Sequence, residues 1–348
     1  MHNICLGVVR KLLNIWVGGR PLEVRLHSRK VEIISQHLIA LRAFTPSDFN
    51  RKPRSLNELA YWKATEFRSF LLYLGPFVLK DILNKAVYEN FLLLHTAVCI
   101  LLCSKHTLKF GIPFAQNLLH IFIHHSKQSL YGKEFTVYNV HLLAHICDDV
   151  EIYGSLDNYS AFPFENFLGR LKRLIKSPLN PLQQIHRRLT EISNSLANIN
   201  RTDDQCKIKN NCILFFEHEQ GPLVFSDEYK WHKQYKKIVI KESKMSLSIN
   251  SYNVADSYVS LKNDTKIIEI HNIIQKNNNV IIVGKAFTEY SSLYTYPINS
   301  SDLNIYVLRK LSDVVHVWPI SDIGGKCIVY HNTNEHDSFT CFPLIHNS

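Results

Sequence analysis

Two runs decide the fold: Lys266-Ile267-Ile268-Glu269-Ile270-His271-Asn272-Ile273 and Val280-Ile281-Ile282-Val283-Gly284-Lys285-Ala286-Phe287-Thr288, on either side of Asn277-Asn278-Asn279. β-Branched side chains suit a pleated surface, and an Asn run tolerates the left-handed backbone of a tight turn, so the pair reads as a β-hairpin. Outward from it, residues 238–240, 305–308, 314–318 and 326–330 are further short β-branched and aromatic runs between Asn-, Asp- and Gly-rich turns. Short strands so spaced predict a small barrel or curled sheet.

Upstream of residue 200 the period changes. Apolar residues recur three and four apart and Gly is sparse, which predicts helices over 3–17, 28–43, 55–74, 77–84, 86–103, 111–130, 137–152, 163–176 and 181–197. Thr45-Pro46, Lys52-Pro53, Gly75-Pro76, Gly111-Ile112-Pro113 and Gly132 fall where helices should stop or turn. Ser55 with Glu58 has the form of a capping box, and Trp62, Phe67, Phe70 and Tyr73 form a core stripe behind it. The expected fold class is α+β. An all-helical block occupies residues 1–200, a linker 201–235, and a small, mostly-β, barrel-like domain 236–348.

The 348 residues carry 40 Lys and Arg against 30 Asp and Glu, a formal net charge of +10 that favours a polyanionic partner. No apolar run reaches the ~20 residues of a bilayer span, so no membrane association is expected. Eight cysteines without a Cys-x-x-Cys pair argue against a zinc knuckle or a disulfide framework, and for reduced thiols in an intracellular protein. The start, Met1-His2-Asn3-Ile4-Cys5-Leu6-Gly7-Val8-Val9-Arg10-Lys11, has its charges after the apolar stretch, unlike a secretory signal. It reads as an uncapped amphipathic helix, as expected of a truncated parent.

The chemistry concentrates between residues 138 and 176. His141 and His145 are one helical turn apart and can address one ligand or charge; a buried, hydrogen-bonded structural pair is the alternative. A zincin reading fails because Leu142 follows the first His where Glu is needed, and no third ligand stands at a recognisable spacing. Glu165 follows Pro163 in the first turn of a helix, where the macrodipole favours a carboxylate, and Phe162, Phe164, Phe167 and Leu168 predict its partial burial. Beyond it Arg170, Lys172, Arg173, Lys176, Arg187 and Arg188 occur with no acidic residue between 166 and 190, a surface fit for phosphates. Asp148 and Asp149 point apart on a helix and read as solvent-facing.

Met1-His2 with its helix, His141-x-x-x-His145, and Phe162-Pro163-Phe164-Glu165-Asn166-Phe167-Leu168-Gly169-Arg170-Leu171-Lys172 resemble, in order and approximate spacing, the second half of the catalytic core of CACTA/EnSpm transposases. Residues 49–56 and 62–68 look like animal members of that family, and the resemblance covers most of residues 1–195. It implies a DDE-type nuclease with an RNase H-like core interrupted by a helical insertion, of which this chain holds an incomplete part. Such enzymes hold two Mg²⁺ ions on three carboxylates. Glu165 matches the last acidic position, with His2, His141 and His145 beside it as metal-site residues. The second catalytic Asp of the family lies just upstream of the Met-His pair, so the first two carboxylates are absent here. The expectation is a nuclear, transposon-derived protein that binds DNA weakly. It does not cut DNA alone, and it holds no Mg²⁺, although the intact parent does.

The competing expectation is a non-enzymatic scaffold whose β domain reads a protein partner, with Tyr290, Tyr294, Tyr296 and Trp318 as candidate contacts or, more simply, as core. Tyr229-Lys230-Trp231-His232-Lys233-Gln234-Tyr235-Lys236-Lys237 interleaves bases and aromatics as single-strand binders do.

Overall fold

The computed structural model describes residues 1–199, 212–223, 233–262, 264–276, 279–332 and 337–345. The chain opens on a helix, π-helical over Asn3–Val9 and then α1 (Arg10–Gly18). The helical block continues through α2 (Ser28–Ala40), α3 (Ala64–Ser69), α4 (Gly75–Val78), α5 (Lys85–Leu102), α6 (Ser104–Phe110), α7 (Ile112–His125), α8 (Tyr138–His141), α9 (Ile146–Tyr153), α10 (Phe162–Leu174) and α11 (Pro181–Ile199).

α5 is apolar around its whole circumference, the pattern of a helix enclosed by others. By length and composition it is the one helix among the described residues that could cross a membrane, but 78% of it is buried inside the protein. Asn84 caps it by accepting a hydrogen bond from Ala86 N at 3.1 Å, and its Phe91 packs edge to face with Trp16 and Phe70.

The stretch 55–74 is not one helix. Ser55 caps a 3₁₀ turn over Leu56–Tyr61 through Asn57 N, while Glu58 turns back to Arg54. The backbone then extends at Trp62, and the reciprocal cap forms at the next start, where Lys63 N donates to Glu66 Oε2 at 2.8 Å. The buried Glu66 carboxylate is held by Arg54 Nε and Nη2 at 2.7 and 2.9 Å, a bidentate pair that compensates its burial. Nor does Gly75-Pro76 stop the chain. A π-helical segment, Phe70–Leu74, joins α3 to α4 directly, and α4 ends at Val78.

The strands are β1 (Cys212–His218), β2 (Lys233–Ile240), β3 (Met245–Ser248), β4 (Tyr258–Leu261), β5 (Ile267–Lys276), β6 (Asn279–Ser292), β7 (Tyr306–Leu311), β8 (His316–Pro319), β9 (Ile323–His331) and β10 (Ser338–Pro343). Their antiparallel pairings close a ring, β5-β4-β9-β10-β7-β6 and back to β5, so the curled sheet is a six-stranded barrel. β5 and β6 pair as the expected hairpin from Ile268↔Ala286 to Lys276↔Asn279; Asn277 and Asn278 lie outside the described residues. Their distal halves leave the ring and carry β2 on one side and β8 on the other. The departure coincides with a register shift between Ile270 and Asn272, opposite Gly284, where a Cβ would lie 2.1 Å from Glu269 O. Only glycine permits that approach.

β1 falls within the expected linker 201–235 and pairs with β2 from Cys212↔Ile240 to His218↔Gln234, so the β module begins earlier than composition suggested. Residues 200–211 and 224–232 lie outside the described residues, and with them Tyr229, Lys230, Trp231 and His232 of the aromatic-basic stretch.

The helical block and the barrel are not separate bodies. Leu293, Tyr294, Ile305, Tyr330 and Phe342 belong to the same apolar core as α5. His95 contacts Leu71 O within the helical block through Nδ1 at 2.8 Å and, across the seam, Tyr294 Oη through Nε2 at 2.9 Å. Ile345 N donates to Tyr73 Oη at 3.2 Å. Lys326, 1% exposed, sits between Asp48 and Asp256, with Asp256 Oδ1 2.6 Å from its Nζ. The same Asp256 oxygen accepts from Ser47 N at 2.9 Å.

Candidate functional site

The contact that joins the distant motifs lies between the first turn of the chain and the first turn of α10. His2 Nε2 is 2.9 Å from Glu165 Oε1, and the imidazole packs on Phe162 at 4.4 Å between centroids. Pro163, near the start of α10, removes a donor that the helix could not use and turns the chain so that Glu165 faces back to His2. The approach has the distance of a hydrogen bond but not its direction, since His2 Nε2 is left without a hydrogen-bond partner. Glu165 keeps 58% of its side chain exposed, so water screens the contact and its net worth is small.

Arg68 completes the surroundings. Its guanidinium lies 5.9 Å above the Phe162 ring and donates from Nη2 to Asp157 Oδ2 at 2.7 Å. Arg68 Nε, Asp157 Oδ1 and Tyr159 Oη are buried without hydrogen-bond partners, as is His2 Nε2. Native folds rarely leave buried polar atoms unsatisfied, so several along one stretch mark a place not organised for stability. Burial pushes the Tyr159 hydroxyl up to about 12 and the nearby Cys5 thiol likewise to about 12, so both stay protonated.

His141 ends α8 and His145 ends the 3₁₀ turn after it, with ring centroids 5.2 Å apart. Both are exposed, so the buried, hydrogen-bonded alternative does not hold. α8 is tied to the first turn of the chain by Asn3 Nδ2 donating to Asn139 O at 2.8 Å. Yet the pair does not join Glu165 and His2 in one ligand set. His145 Nδ1 turns instead to Asp148 Oδ2 at 3.6 Å, and Asp148 and Asp149 are both exposed. Among the described residues no group of three or more His, Cys, Asp or Glu is arranged to hold a metal ion. The expected four-residue set therefore divides into two pairs.

Glu165 is also not enclosed as expected. Phe164, Phe167 and Leu168 are 70%, 53% and 62% exposed, and α10 contains no buried residue. Neighbours in a helical sequence point around the whole circumference, so apolar residues beside a carboxylate do not by themselves bury it. Arg170, Lys172, Arg173 and Lys176 are exposed in and just after α10, and Arg187 and Arg188 in α11. Arg187 and Arg188 are partly neutralised by Glu191, at 3.0 and 2.8 Å. In the β module Tyr294 is buried, Tyr290 and Trp318 half-buried and Tyr296 exposed, which suits packing more than a cage.

Sequence reasoning missed Arg68 and Asp157, whose pairing spans 89 positions and has no local signal. It also missed Cys103. Against the upward push of burial, hydrogen bonding to His106 and its charge bring that half-buried thiol down to about 7. A family model described as a domain of unknown function (DUF8592) matches residues 217–344, the β module without most of β1. No curated protein and no solved structure matches the chain.

Proposed function

We propose that this chain is a transposase-derived DNA-binding protein, its helical block corresponding to the second half of a DDE-type, RNase H-like core that does not cut DNA by itself. The observation that carries the reading is the meeting of His2 and Glu165, the two ends of the resemblance, at 2.9 Å. Unsatisfied polar atoms of Arg68 and Asp157 nearby support it, as groups suited to a ligand more than to the fold. The cations of α10 and α11 supply phosphate contacts. On this reading Glu165 is the last acidic position of the parent site. In the parent site Glu165 would be one of the carboxylates that hold Mg²⁺, which would supply Lewis-acid chemistry at the phosphate; one carboxylate alone does not hold the two-ion pair.

The test is binding and cleavage of a duplex oligonucleotide by the full chain. Binding should weaken steeply between 50 and 200 mM salt, as counterion release requires. Incubation with Mg²⁺ or Mn²⁺ should leave the strands intact. Metal-dependent cleavage abolished by Glu165→Gln would overturn the reading.

A second reading, a scaffold whose β module contacts a protein, draws on one observation. Phe216 and Tyr252 are 55% and 47% exposed with ring centroids 5.3 Å apart, an aromatic pair facing solvent. Association through that pair would be far less sensitive to salt.

A further inference from the structure

A groove of about 740 Å³ runs along α1, with Leu6, Arg10, Lys11, Asn14, Arg20 and Glu134 on its walls. Its floor is firm: Tyr131 and Phe135 are buried and pack at 4.6 Å between ring centroids, and Tyr131 Oη accepts from Trp16 Nε1 of the core at 3.2 Å. Arg20 reaches the groove because the chain reverses tightly after α1. At Gly19 a Cβ would lie 2.7 Å from Ile15 Cα, so the reversal requires glycine, and Leu26 N then anchors the returning strand to Trp16 O at 2.8 Å.

The charge of the groove is unbalanced. Three cations face the single carboxylate of Glu134. Arg10 and Arg20 are exposed and have no ion pair or side-chain hydrogen bond among the described residues, while Lys11 lies with Nζ 5.4 Å over the Phe135 ring. Neighbouring like charges on a rigid wall repel one another, and an anion with several acceptor oxygens relieves that repulsion. Guanidinium forks match phosphate oxygens bidentately, and the Asn14 amide adds a neutral donor.

We propose that this groove is a second phosphate-binding surface, which takes the sugar-phosphate backbone of DNA and extends the contact surface of α10 and α11. The inference rests on the DNA-binding reading above. Groove and candidate site lie on one continuous helix, on which Arg10 follows His2 by eight residues. The contacts are to phosphate alone, so the groove adds affinity and register without sequence preference.

The experiment measures binding of the full chain to a fluorescent duplex by anisotropy across a salt series. Arg10→Gln with Arg20→Gln should weaken binding at low salt at least tenfold and make the log-log salt slope shallower by about 2, near 0.9 for each phosphate no longer neutralised. Glu134→Gln should tighten binding several-fold. Lys241→Gln with Lys244→Gln, two exposed lysines on the β2–β3 turn, controls for net charge and should change little. All the replaced side chains are exposed, and unchanged thermal unfolding verifies that each variant folds. An unaltered affinity and slope in the Arg10/Arg20 variant overturns the groove. If Arg170→Gln with Arg173→Gln then still weakens binding, the DNA reading survives without it. Absence of duplex binding by the unmodified chain removes both. Loss of binding to phosphatidylserine vesicles but not to duplex, in the Arg10/Arg20 variant, would assign the groove to a membrane surface and overturn the proposal.

Discussion

α5 and α10 are both rich in large apolar residues, yet the structure treats them oppositely. α5 is 78% buried and sits beneath the seam where the barrel meets the helical block. α10 buries nothing, although its Phe164, Phe167 and Leu168 are as apolar as anything in α5. The seam holds the chain together through apolar contact and two buried polar clusters, His95 with Tyr294 and Lys326 with its two aspartates. α10 and α11 lean on each other and contribute little to that core, whereas α1, which carries the groove, is part of it through Leu12, Leu13 and Trp16. Stability and the contacts proposed for α10 and α11 are thus carried by different parts of the molecule, and substitutions should separate them.

The largest effect is expected at Lys326. Lys326→Met leaves Asp48 and Asp256 buried together without a cation, which should cost about 3–5 kcal/mol of stability, read from the urea midpoint of the full chain. A loss below about 1 kcal/mol would mean that water reaches those carboxylates and the seam is looser than described. The next is a pH effect at His95. Burial lowers its pKa to about 4, so the imidazole is neutral in the fold, whereas the unfolded chain takes up a proton as pH falls below ~6.5. Its contribution is therefore complete above pH ~6.5 and diminishes as pH falls toward 4, by up to about 1.4 kcal/mol per pH unit. His95→Gln should flatten that part of the stability profile, and a slope that persists places the proton elsewhere. The smallest is on the exposed helix. Phe164→Ser with Leu168→Ser should shift stability by no more than about 0.5 kcal/mol. A shift several times larger would show that α10 is packed, and the contrast would fail.

The helical block and the central hairpin were legible because they depend on local periodicity. The run from Lys266 to Ile273 and the run from Val280 to Thr288 predicted the pairing that forms. β3 and β4 were not legible, since four residues such as Met245–Ser248 or Tyr258–Leu261 gain their strand character from the partner they find. β1 was hidden by the Asn-rich residues just before it. The capping pattern at Ser55 was present, but a second, better-anchored start at Lys63 and Glu66 competed with it, because Arg54 neutralises the buried Glu66. In the candidate site, the resemblance put His2, His141, His145 and Glu165 in one set without saying which of them meet, and Arg68 and Asp157 required the tertiary structure. The fusion of the two halves was the least legible feature. Lys326 and Asp48 are 278 positions apart, and nothing near either residue announces the other.

The shared core changes what the segment matched by the family model can be. Residues 217–344 form a unit of sequence, but among the described residues Leu293, Tyr294, Ile305, Tyr330 and Phe342 share their apolar core with helices that precede it. Transplanted into another polypeptide, that segment would need a greasy lid supplied by its new host or by a neighbour. The cut that leaves a self-sufficient body therefore does not coincide with the edge of the recurring pattern.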